Sequence, residues 1–119
     1  MSEKYSIGTR LESEDLVRKW GFQHIFTWTD GGYLITSSAV WGLTSRSNAH
    51  YSPHTHTGLT THLIRRGSLT ITYPEDNAKL HSGQVKKETF RVGERVDVPA
   101  GKVHEVWIGD EGCEYVIGE

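Results

Sequence analysis

Residues 53–67 read PHTHTGLTTHLIRRG and residues 93–104 read GERVDVPAGKVH. In an extended strand, positions i and i+2 point to the same face, so His54 and His56 offer two imidazoles side by side. In the second stretch, Pro99-Ala100-Gly101 reads as a turn that delivers His104 to the start of the next strand. Three neutral imidazoles converging inside a small barrel suit a divalent ion held by one face, with the remaining positions open to water or substrate.

Outward from these stretches the signals are those of short strands. His24 to Trp28 and Tyr33 to Trp41 are β-branched and aromatic, and Asp30-Gly31-Gly32 between them predicts a hairpin. Further runs span Thr60 to Arg66, Ser68 to Tyr73, Thr89 to Val92, Arg95 to Val98, Val103 to Ile108 and Cys113 to Ile117, punctuated by Gly67, Gly93, Gly101 and Gly109. Glycine-rich turns at this spacing, with no helical periodicity between them, predict an all-β antiparallel sandwich or barrel. The polar stretch from Pro74 to Lys87 reads as a loop. Near the start, Ser13 followed by Glu14, Asp15 and Leu16 predicts an N-cap, and Gly21 a stop, for a helix of two turns at most. The organisation is thus an arm over 1–22 carrying a short helix, then one barrel over 23–119.

Composition narrows the partners. Lys+Arg 13 against Asp+Glu 15 gives a net charge of −2, without the basic footprint of a nucleic-acid binder. No apolar stretch is long enough to span a bilayer, so neither nucleic acid nor membrane is expected as a partner. Cys113 is the single cysteine, which rules out an intrachain disulfide, and MSEKYSIGTR has no apolar run of the signal-peptide kind. A reducing, cytoplasmic setting is the expectation. Seven histidines in 119 residues stand out.

The two stretches together resemble the cupin superfamily, small conserved β-barrels of the jelly-roll (double-stranded β-helix) type. The first cupin motif, G-x5-H-x-H-x(3,4)-E-x6-G, is matched over 48–67 by His54, His56 and Gly67; the second, G-x5-P-x-G-x2-H-x3-N, is matched over 93–108 by Gly93, Pro99, Gly101 and His104. Asn48 replaces the first glycine and Ile108 the final asparagine. Thr60 occupies the slot of the glutamate that usually completes the metal site, and a threonine hydroxyl is a poor ligand. The resemblance implies a single-domain cupin β-barrel, a divalent metal (Fe, Zn, Ni, Mn or Cu) on His54, His56 and His104, and a homodimer.

His62 shares strand parity with Thr60 and Ile64, so all three are expected to face the interior, Thr60 and Ile64 in the substrate pocket. His62 is read as a pocket-wall acid/base or substrate contact, with a fourth ligand as the alternative. His24, His50 and His81 read as ordinary, His50 with a place near the rim. Trp107 is off the parity of His104 and expected to face away. Arg65 and Arg66 read as an exposed strand end, and Cys113 as an inert small hydrophobe in the last strand.

Three imidazoles leave a divalent ion at +2, which favours a small anionic or enolisable substrate. Resemblance to three-histidine cupin dioxygenases implies dioxygenase or oxygenase chemistry, with a metal-dependent lyase or isomerase next. Two alternatives stay open: a metal-free epimerase or dehydratase, with a histidine base and Tyr33, Tyr51, Tyr73 or Tyr115 as acid, and a non-catalytic small-molecule-binding barrel.

Overall fold

The computed structural model describes residues 4–30, 50–78 and 86–119. Helix α1 spans Arg10–Lys19 and starts a turn earlier than Ser13 suggests. Its cap is Thr9: the Glu12 amide donates to Thr9 Oγ1 at 3.1 Å and the Thr9 amide donates to Glu12 Oε1 at 2.8 Å, a reciprocal capping box. Ser13 therefore lies inside the helix, buried, where its hydroxyl donates to the Ile7 carbonyl at 2.5 Å. Gly21, at φ +105°, turns the chain out of the helix.

Six strands follow: β1 (Ile25–Asp30), β2 (His50–His54), β3 (Thr60–Thr72), β4 (Lys87–Arg91), β5 (Arg95–Val98) and β6 (His104–Gly118), with a single helical turn α2 (Pro74–Asn77) at the start of the stretch read as a loop. Every pairing is antiparallel. The hairpin expected from Asp30-Gly31-Gly32 has its second half outside the described residues; β1 pairs with the end of β6, Trp28 opposite Tyr115. No helix among the described residues is long and apolar enough to cross a membrane.

The runs read as separate strands on either side of Gly67, and of Gly109, are continuous. β3 and β6 are two long strands, paired along their length and bent at the same level. One pair of halves, β3 from Leu69 and β6 up to Ile108, is flanked by β4 and β2; the other, β3 up to Arg66 and β6 from Cys113, is flanked by β5 and β1. The result is two four-stranded faces sharing their central strands, a closed-up jelly-roll arrangement.

The bend also changes which residues face inward. In β3, Ile64 pairs with Tyr115 but Arg66 with Glu114, so Arg65 is an extra residue. In β6, four residues (109–112) face the single Ser68. Both insertions reverse the alternation. The core consequently takes Ile64 then Leu69 and Ile71 from β3, and Val106 and Ile108 then Cys113, Tyr115 and Ile117 from β6. The opposite face, Leu63 and Val116, packs under α1 with Val17 and Phe22. The helix of the arm thus covers the outer side of the sheet.

Arg65, expected to be a solvated strand end, does otherwise. As the bulge residue it turns under α1, with Nε 3.2 Å from Glu114 Oε2 and Nη1 donating to Ser13 Oγ at 2.9 Å and the Gly8 carbonyl at 3.3 Å. Arg66 is exposed.

Gly67 lies at φ +74°, and a Cβ there would run into the Gly112 carbonyl across the bend. Gly67→Ala combines left-handed strain with a backbone clash and should lower stability by about 3 kcal/mol. Urea denaturation checks this; a loss below about 1 kcal/mol with an unchanged m-value would show that the bend does not depend on this glycine.

Candidate metal centre

The last residue of β2, His54, is the cross-strand partner of the first residue of β6, His104. Their ring centroids lie 4.2 Å apart. Strand β2 ends at His54, so His56 stands just beyond regular strand, where its carbonyl accepts the Gly101 amide at 2.9 Å. That bond ties His56 to the turn that launches His104; Gly101 makes the turn at φ +73°. The His56 ring is 5.1 Å from that of His54 and 5.0 Å from that of His104. The ligating atoms of all three lie within 4.8 Å of one another.

Their hydrogen bonds set the tautomers. His54 Nδ1 is 2.7 Å from the Ser52 carbonyl and His104 Nδ1 is 2.9 Å from the Lys102 carbonyl. A carbonyl only accepts, so each neutral ring carries its proton on Nδ1 and keeps the Nε2 lone pair for another acceptor of electrons. Burial and then the neighbouring His54 charge lower the pKa of His56. Burial lowers that of His104 as well, against the Lys102 carbonyl bond that raises it. Three imidazoles whose ligating atoms lie within 4.8 Å of one another can close on a divalent ion, since metal–imidazole bonds of about 2.0–2.1 Å would draw those atoms to within about 4 Å of each other.

The cluster opens onto a cavity of about 250 Å³ between the two sheet faces. Among the described residues its wall takes Leu69, Ile71, Val96, Val106 and Ile117 from the strands, with Trp28, Tyr51, His62 and Tyr115. His62 lines this cavity but does not belong to the three-histidine cluster. Its ring lies 5.5 Å from that of Tyr115, and its Nδ1 is shielded from solvent without a hydrogen-bond partner among the described residues. Thr60 and Ile64 are buried on the same side of β3, outside the cavity lining. Thr60 Oγ1 is buried and without a hydrogen-bond partner among the described residues.

The other histidines stand apart. His50, on β2, stacks on Trp107 at 5.3 Å and places Nε2 2.6 Å from Glu105 Oε2. Lys87 covers the same Trp107 ring at 4.1 Å, so this group is outside the cavity lining. His24 is an exposed residue before β1. His81 lies outside the described residues. Of the four tyrosines offered as acids, Tyr51 and Tyr115 line the cavity, Tyr73 lies by α2, and Tyr33 is outside the described residues.

Trp28 is a cavity residue that the sequence reading did not single out. Nothing in its neighbourhood distinguishes it from a barrel-wall aromatic, and only its pairing opposite Tyr115 shows where it sits. Leu69 and Ile71 were hidden for a different reason, because their inward direction depends on the extra residue at Arg65.

No protein-family profile and no curated protein matches the chain. Among solved structures it is similar to a cupin-2 domain protein from Shewanella frigidimarina (20% identity, 60% of this chain and 61% of that one, TM-score 0.48). It is also similar to the oxalate decarboxylase of Bacillus subtilis, a protein with Mn(II) centres (19% identity, 61% and 18%, TM-score 0.49). A third is a polyketide cyclase from Streptomyces resistomycificus (20% identity, 61% and 46%, TM-score 0.49). A cupin superfamily protein from Desulfitobacterium hafniense is also similar (20% identity, 79% of this chain and 62% of that one, TM-score 0.46). The chain spans about 61% of the length of the Shewanella protein and 18% of that of the decarboxylase.

The His62 environment yields a pH prediction. Its pKa is pushed down to about 4 from 6.5, chiefly by burial and then by the His104 and His56 rings, against the Val96 backbone and Asp97. Between these values the unfolded chain binds a proton that the folded chain does not, so this stabilisation is whole above about pH 6.5 and is lost as pH falls toward 4. Metal-free protein should lose about 2 kcal/mol from this residue between pH 7 and 5. Urea midpoints should fall less steeply with acidification in His62→Gln; equal slopes in the two proteins would show that His62 is not held neutral.

Proposed function

We propose that this protein is a cupin-type metal enzyme in which His54, His56 and His104 hold one divalent ion and the adjoining cavity receives a small organic substrate. The observation that carries this is the convergence of three imidazoles, two with Nδ1 committed to backbone carbonyls. The two motif matches over 48–67 and 93–108 support the family, with these histidines on the family's ligand positions. The ion is Fe, Zn, Ni, Mn or Cu by ligand type. The reaction class we favour is oxygenation or dioxygenation of an anionic or enolisable molecule, ahead of lyase or isomerase chemistry.

When bound, such an ion polarises an oxygen donor of the substrate and favours its deprotonated form. The chain's own residues do the rest. Ser52 and Lys102 carbonyls hold two ligand rings in the donor tautomer. The aliphatic wall excludes water and strengthens electrostatic interactions at the histidine end. His62, neutral at physiological pH in this pocket, is placed to accept a proton at a ring nitrogen. Thr60 in the carboxylate slot brings no negative charge, so the charge of the ion is left for an anionic substrate group to balance.

A metal-free reading rests on one observation, the His62 and Tyr115 rings 5.5 Å apart in the same cavity. That pair would serve as base and acid in an epimerase or dehydratase, with activity that survives chelation.

Metal analysis separates these readings. Protein reconstituted with Zn(II) or Co(II) should carry one ion per chain through gel filtration. His56→Ala should weaken that binding by at least about 100-fold, since loss of an outer-sphere partner alone costs 10–100-fold. His62→Ala should keep the ion. Full retention by His56→Ala would remove the assignment, and loss from His62→Ala would make His62 a ligand.

A further inference from the structure

The cavity is chemically two-ended, and this bears on what enters it. One end is the cluster of His54, His56 and His104. The far walls are aliphatic: Leu69 and Ile71 from β3, Val96 from β5, and Val106 and Ile117 from β6, brought together because the bend reverses the alternation in β3 and β6. Trp28 on β1 lines the same space and is 47% exposed, so its indole reaches from the cavity to the surface. No Lys, Arg, Asp or Glu lines the cavity among the described residues. A volume of about 250 Å³ matches roughly eight water molecules at about 30 Å³ each, below the range of drug-sized pockets.

We propose that the substrate has one compact oxygen-donor head, seated at the three histidines, joined to an uncharged apolar body of ring or branched-alkyl size that lies against Leu69, Ile71, Val96 and Val106, with Trp28 covering its outer edge. This rests on the metal reading given above and extends it to the substrate class. The physical ground is desolvation: an apolar body gains from leaving water against this wall, whereas a second ionised group would be buried without a partner. Against the described walls, dicarboxylates and phosphorylated sugars are therefore disfavoured relative to substrates with a single anionic head. Trp28 becomes a specificity-determining residue, since among the described residues it is the exposed apolar side chain at the cavity's edge.

Matched probes test this on Co(II)-loaded protein, with the visible ligand-field bands reporting occupancy. Benzohydroxamate and acetohydroxamate share a chelating head and differ only in the body; the phenyl compound should bind at least tenfold more tightly. Adding a carboxylate at the far end, in 4-carboxybenzohydroxamate, should erase that gain. Trp28→Ala should retain Co(II) and shrink the phenyl preference at least threefold. Equal binding of the phenyl and methyl compounds, or undiminished binding of the carboxylated one, would overturn the proposal.

A second measurement keeps the outcome separable from the metal assignment. In metal-free protein, saturation-transfer NMR with benzyl alcohol reads the apolar wall directly, and the signal should fall in Trp28→Ala. Signal without any Co(II) uptake would overturn the metal reading and leave the apolar-body proposal standing. Co(II) uptake without that signal, or with one unaffected by Trp28→Ala, would overturn the proposal itself.

Discussion

The barrel interior is continuous because its two longest strands, β3 and β6, each reverse their inward-facing alternation at the same bend. Were Arg65 to take a regular place in the alternation instead of bulging out, the side chains of Leu69 and Ile71 would point outward while Ile64 pointed in. Without the four-residue excursion at 109–112, His104 and Tyr115 could not serve one cavity from a single strand. The bend needs close backbone approach, which Gly67 supplies against Gly112. It also needs the bulge residue to have somewhere to go. Arg65 turns under α1 to reach Glu114 and Ser13, so the N-terminal arm is fastened where the sheet folds over.

The histidine cluster follows from that geometry. β2 and β6 meet on the face where His54 and His104 are paired residues, and the turn at Gly101 holds His56 beside them through a backbone hydrogen bond. Burial acts on the rings in one direction, toward the neutral form, in His56, His104 and His62. For the first two, neutrality is the condition for offering lone pairs to an ion. His62 meets the same pressure away from the cluster, as a wall residue beside Tyr115. The cavity thus has a cluster of three imidazoles at one end and a separate buried imidazole in its wall.

Much of this was legible in the residues. The spacing of His54, His56 and His104 and the Pro99-Ala100-Gly101 turn carry local information, since a two-residue strand repeat and a tight turn are decided by neighbours in sequence. The all-β class was legible for the same reason. The start of α1 was misplaced because Ser13 and its acidic neighbours make a plausible cap, while the reciprocal bonds between Thr9 and Glu12 begin the helix a turn earlier. The breaks drawn at Gly67 and Gly109 treated glycine as a stop, whereas here it lets paired strands bend without parting.

By itself, then, the sequence determined the antiparallel β class and the trio of histidines, because both depend on short-range periodicity and turn chemistry. The tertiary structure alone decided which aliphatic residues share the cavity with them, that Arg65 is an internal fastening rather than solvated charge, and that Trp28 stands at the cavity's edge. Each of these depends on a bulge or on a pairing between distant strands. One extra residue in a strand exchanges its two faces, and no local pattern announces that exchange.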